Sequence, residues 1–139
     1  MLDYLYLYQD WGPFVLRVTL GAAFIAHGYP KLFKMFGGVA AWLDSIGIKP
    51  GKFWALVIGV VEFFGGIALV LGVLTELAAA LIAVVMVVAI VKVKWGKAKY
   101  IDLERGGWEL DLIYLAAALT ILFTGPGAFA LDTYPFLRY

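Results

Sequence analysis

Apolar residues gather into four long runs along this chain, and the lysines and glycines fall mostly between them. The runs cover about 11–36, 53–74, 76–93 and 108–124. A helix that crosses the hydrocarbon of a bilayer needs about 20 mostly apolar residues, so the pattern predicts four transmembrane helices. The second run is interrupted only by Glu62. The third, LAAALIAVVMVVAIV, is uncharged and rich in β-branched residues. Such residues are poor helix formers in water but acceptable where lipid forces every backbone group to pair internally. The fourth is shorter and carries Glu109 and Asp111 in its first turn, where carboxylates complement the helix dipole. Between the first two runs, Gly37, Gly38, Gly47, Pro50 and Gly51 bracket VAAWLDSIGI. This piece reads as an interfacial helix over about 39–47, with Trp42 at headgroup level. Short connections make neighbours antiparallel. The expected fold is therefore all-α, an integral membrane up-down four-helix bundle in one domain over residues 1–139.

Composition supports the membrane reading. The 139 residues are 64% hydrophobic and 15% charged, against about 45–50% and about 25% in an average soluble domain. A formal charge of +1, spread along the chain, argues against a nucleic-acid partner, which demands a concentrated basic face. Without cysteine there is no disulfide, no thiolate zinc site and no cysteine-held iron–sulfur cluster. A lone histidine supplies neither a zinc site nor two haem axial ligands, so no metal is expected. The segment MLDYLYLYQD lacks the basic start of a secretory signal, and no cleavage is expected there. Its tyrosines, with Trp11, suit an outer interfacial belt.

Lys31, Lys34, Lys49 and Lys52 flank the first loop, and Lys92, Lys94, Lys97, Lys99 and Arg105 the third, while only Arg138 falls on the other side. The positive-inside rule then predicts a multi-pass protein of the cell membrane with both termini outside and the loops between spans 1 and 2 and between spans 3 and 4 cytoplasmic. Charges within the spans select candidate functional residues, because a charge at bilayer depth costs about 2.5 kcal/mol or more and faces an interior. Arg17, His27 and Lys31 fit one broad face of the first helix. Glu62 shares its side of the second helix with Gly59, Gly65 and Gly66, which admit a close neighbour. Counting depth at 1.5 Å per residue sets Arg17 within reach of Glu62. Each residue also has a plainer role. Arg17 can snorkel to the outer interface, and Lys31 and Lys34 to the inner one, His27 can be a hydrogen-bonded interior residue, Pro30 can kink the first helix, and Glu109 with Asp111 can serve the helix dipole.

An early arginine, HGYPKLF, VEFFGGIALVLGVLT, GGWELDL and GPGAFALD occur in this order along nearly the whole chain. Together they resemble the DoxX family of small four-helix membrane proteins. The resemblance aligns the family's motif residues with Arg17, His27, Gly28, Lys31, Leu32, Glu62, Gly65, Gly66, Gly106, Gly107 and Glu109, and its closing acid with Asp132. It implies redox physiology at the membrane, since some relatives are subunits of thiosulfate:quinone oxidoreductase or terminal quinol oxidase assemblies.

A quinone ring needs donors at its carbonyls and a group that exchanges protons, within an apolar slot. Arg17, His27, Glu62 and Glu109 are the binding candidates, with Trp54, Phe63, Phe64 and Trp108 as walls. Lys31, Gly65, Gly66, Gly107 and Asp132 are expected to be structural or interfacial. Histidine is the side chain suited to proton exchange near neutrality. No covalent cofactor motif is present, so electron transfer would require quinone or quinol, or a partner. Three readings stay open: a quinone-interacting accessory subunit of a membrane oxidoreductase, a structural or assembly subunit, and a small transporter or proton conductor. Besides the bilayer, the expected partner is another membrane protein or a second copy of the chain.

Overall fold

The computed structural model describes residues 6–102 and 107–133. Five α-helices run through them: α1 Trp11–Phe33, α2 Phe36–Ser45, α3 Gly51–Leu71, α4 Thr75–Val88 and α5 Glu109–Thr124. A π-helical segment, Ala89–Lys94, continues α4, and a 3-10 turn covers Leu131–Thr133. No strand occurs among the described residues. Tyr4, Arg105, Gly106 and Arg138, used in the sequence argument, lie outside them. The long helices α1, α3, α4 and α5 each pack against the next, and α5 closes back on α1. Two helical stretches, Gly51–Leu71 and Thr75–Lys94, are long and apolar enough to cross a membrane. The other two expected spans are helical too, but α5 has 16 residues and α1 carries Arg17 and Lys31.

Helix ends explain the boundaries. The first helix runs through Pro30 and stops at Phe33, earlier than the expected 36, where the Lys34 and Met35 amides both donate to the Pro30 carbonyl. This closure lets α2 begin at Phe36 rather than 39, and Gly37 and Gly38, expected as linkers, fall in its first turn. Asp44 Oδ1 accepts from the Gly51 amide at 2.8 Å, tying α2 to the start of α3. Helix α3 ends at Gly72, whose φ of +68° is left-handed, with the Val73 amide donating to the Ala68 carbonyl at 2.9 Å. This is the double closure that glycine favours after a last turn. A Cβ there would also lie 2.6 Å from Ala130, so both conformation and space require glycine.

Close backbone approach sets the register of α1 against α3. A Cβ on Gly21 would lie 2.6 Å from the Gly66 carbonyl oxygen, and one on Gly28 would collide with the backbone of Phe63. Gly59 packs under Leu32. Gly65 instead turns to α4, where Ile82 is in ordinary contact at 3.6 Å. Leu20, Phe24, Leu69, Ala79, Ile82 and Ile121 anchor the core. Most of them lie toward the end remote from the basic loops, and Phe24 borders a cavity that occupies the other half.

Candidate functional site

The cavity of about 470 Å³ lies between α1, α3, α4 and α5, with α2 beneath it. Apolar side chains form most of the wall, among them Phe24, Trp42, Leu43, Trp54, Ile58 and Val85. The polar lining is His27, Lys31, Glu62, Lys94, Asp111 and Tyr114. The α1–α3 register brings Lys31 opposite Glu62, and Lys31 Nζ donates to Glu62 Oε1 at 2.6 Å. Glu62 is 3% exposed, and its second oxygen, Oε2, has no hydrogen-bond partner among the described residues. A buried carboxylate needs a counter-charge, and the Lys31 ammonium, a third exposed, supplies it. This corrects two expectations: Lys31 is an ion-pair partner inside the structure, and Arg17 does not reach Glu62.

A second ion pair stands elsewhere on the wall. Lys94 Nζ lies 2.6 Å from Asp111 Oδ2 and donates to the Gly107 carbonyl at 3.2 Å. The π-helical turn presents Lys94 at this point, and the Trp95 amide closes it by donating to the Ile90 carbonyl at 2.7 Å. Such one-residue expansions of a helix recur at functional sites. Tyr114, one turn along α5 from Asp111, packs its ring against Phe24 and His27 at centroid distances of 5.4 and 6.1 Å.

The structure divides the candidates. His27 and Glu62 line the cavity, while Arg17 and Glu109 do not. Arg17, fully buried, donates from Nε to the Pro126 carbonyl at 2.8 Å, from one terminal nitrogen to Leu69 and Val70 at 2.7 and 2.8 Å, and from the other to Ala128 at 2.9 Å. It joins α1, the end of α3 and the GPGAFALD segment. A group with its donors spent on carbonyls is a clamp of the fold. Asp132 completes this end: its two oxygens accept from the Leu74 and Thr75 amides at 2.8 Å each, capping α4 from a distance. Burial acts to raise the Asp132 pKa, but Thr75, the Leu74 amide and the Arg17 guanidinium outweigh it, and the carboxyl sits below the usual carboxylate range. Glu109 folds over Gly107, where a Cβ would collide with Glu109 Oε2 and the Tyr100 carbonyl. Of the four proposed walls only Trp54 lines the cavity. Phe63 and Phe64 join an outer cluster with Tyr29 and Phe33, and Trp108 packs against Trp95 at a tilt and against Tyr100 edge to face.

Sequence reasoning missed Lys94, Asp111 as its partner, Trp42 and Tyr114. One signal was readable: Leu110, Asp111 and Tyr114 share a face of α5 at the three and four spacings. The Lys94 position was not, because a π-turn rotates every following side chain relative to α periodicity.

The DoxX family profile matches residues 12–95. A Bacillus subtilis protein named "Putative oxidoreductase CatD" is 33% identical over 125 residues, covering 90% of this chain and 87% of that protein. An uncharacterized Haemophilus influenzae protein is 35% identical over 122 residues, 84% of this chain and 85% of its own length. An uncharacterized membrane protein of Mycobacterium tuberculosis is 31% identical over 126 residues, 84% of this chain and 77% of its own. No solved structure matches the chain. A profile match over more than half of the chain, with these relatives aligned along most of it, makes this protein a member of the DoxX family of membrane proteins.

Proposed function

We propose that the protein is a quinone-interacting small subunit of a membrane oxidoreductase, with the cavity as its quinone site. In this reading α1, α3, the α4–π helix and α5 all span the bilayer, both termini face outside, and the basic loops face the cytoplasm. The observation that carries it is Glu62 Oε2, an unpartnered carboxylate oxygen on a nine-tenths buried residue lining an apolar, aromatic-walled cavity. Such an oxygen suits a ligand hydroxyl, and the volume suits a substituted ring. The name of the Bacillus subtilis relative supports an oxidoreductase setting.

Quinone, when bound, supplies the two-electron, two-proton redox chemistry that no side chain here carries. The residues of the chain bind and orient. Lys31 fixes Oε1 of Glu62, which leaves Oε2 to accept a hydrogen bond or a proton. In this reading His27, which lines the cavity beside Tyr114, exchanges protons with the bound ring. Apolar walls exclude water and strengthen each polar contact. The test is purification of the full chain in native lipid, followed by solvent extraction and quinone quantification. Quinone should be retained near stoichiometry and fall at least about tenfold in Glu62→Gln. Equal, trace quinone in both proteins, at the level of the bulk lipid, would overturn the reading.

A further inference from the structure

Exposed side chains line the cavity singly at His27 on α1, Trp42 on α2 and Leu110 on α5, and as a group along one seam. Toward the outer end, Leu69, Ala79 and Ile82 are fully buried and seal it. Toward the basic loops, α2 lies across it with Leu43 buried and Val39 and Ile48 on the lining, held to α3 through Asp44 and Gly51. Between α3 and α4 the picture differs. Trp54 on α3 and Leu81, Val84 and Val88 on α4 line the cavity and are also 40%, 42%, 60% and 39% exposed. Cavity and outer surface are therefore continuous along that seam. Its rim is wholly apolar, and the polar groups other than Glu62 stand on α1, the π segment and α5.

We propose that the site is loaded from the side, out of the bilayer core through the α3–α4 seam, and that the seam holds the hydrocarbon tail of a ligand whose polar ring meets the Lys31–Glu62 pair. The inference rests on the quinone reading and adds a route and a tail subsite to it. A seam of Trp54, Ile58, Leu81, Val84 and Val88 offers a tail only dispersion and apolar burial. Beyond the Trp54 indole N–H, its side chains offer no hydrogen bond to a water-borne polar molecule. The depth of the polar pair behind this rim orders the ligand head-first.

The probes are a decyl-substituted 1,4-benzoquinone and the same ring without its chain, binding to the full protein in lipid nanodiscs, with both concentrations referred to the lipid phase. The decyl form should bind a few-fold tighter, because the packed seam gives the chain denser dispersion contacts than fluid lipid does. Val84→Trp, which narrows the rim, should remove that advantage while changing affinity for the bare ring by no more than about twofold. Leu81→Trp serves the same purpose should the first variant fail to fold. Equal binding of the two probes, or a tryptophan that weakens both alike, overturns side loading and leaves the quinone reading standing. Binding of neither probe overturns both.

Discussion

Lys31 and Glu62 stand in unequal surroundings, and the inequality is measurable. Lys31 is 33% exposed and keeps a route to water, whereas Glu62 is 3% exposed and has none. Lys31→Met therefore strands a buried carboxylate and should cost about 3–5 kcal/mol, while Glu62→Gln should cost less and the double variant should recover much of the loss. Thermal melts of the three variants in one detergent decide the order; equal losses for the two single variants would show that exposure does not govern the pair. Arg17 makes a different demand. Its planar fork reaches two separate segments, so Arg17→Lys should destabilise nearly as much as Arg17→Met, about 3 kcal/mol or more, without changing quinone affinity in the protein that remains folded. Lys31 and Arg17 were both identifiable in the sequence as charges within the first span, although Lys31 reads there as reaching the inner interface. Which one Glu62 meets was not, because helical periodicity assigns faces while the register between antiparallel helices depends on where backbones touch.

Glycines decide that register at the scale of the elements. Gly28 meets the backbone of Phe63, which cannot move aside as a side chain does, so Gly28→Ala should cost about 1–3 kcal/mol and loosen the Lys31–Glu62 pair. Gly38, in the first turn of α2, meets nothing within 4 Å, and Gly38→Ala should be neutral or stabilise by no more than about 1 kcal/mol. Comparison of the two melting shifts separates close packing from helix propensity. At the far end, Asp132 caps α4 with a lowered pKa. A depressed carboxyl contributes stability that is complete above its unfolded pKa, about 3.9, and is lost as pH falls through the folded value. Acid melts below about pH 4 should show this loss in the native protein and lack it in Asp132→Asn. Helix existence and extent were largely legible, since 53–74 became Gly51–Leu71 and 108–124 became Glu109–Thr124. The α1–α2 break was expected too late because the apolar run continues to Phe36, whereas the Pro30 carbonyl, accepting from the Lys34 and Met35 amides, closes the helix at Phe33.

For the whole molecule, the two ends carry different work: the Arg17–Asp132 end holds helices together, and the basic-loop end keeps a cavity with two ion pairs. That division was only half visible in the sequence, which marks charges by depth but does not say which are consumed by backbone carbonyls. The proposed topology is directly testable, because the chain has no cysteine of its own. Gln9→Cys and Phe129→Cys should react with an impermeant maleimide added to intact cells, and Ser45→Cys and Lys97→Cys only after permeabilisation. The reverse pattern would invert the protein and place the cavity at the outer leaflet. The central claim, that the cavity holds a quinone, is met most directly by photolabelling the protein in nanodiscs with an azide-bearing quinone and mapping the modified peptides. Label concentrated on the α1, α3 and α5 residues around Lys31, Glu62 and Tyr114, and displaced by excess unlabelled quinone, is the predicted result. Label scattered over lipid-facing positions and indifferent to competitor would contradict it.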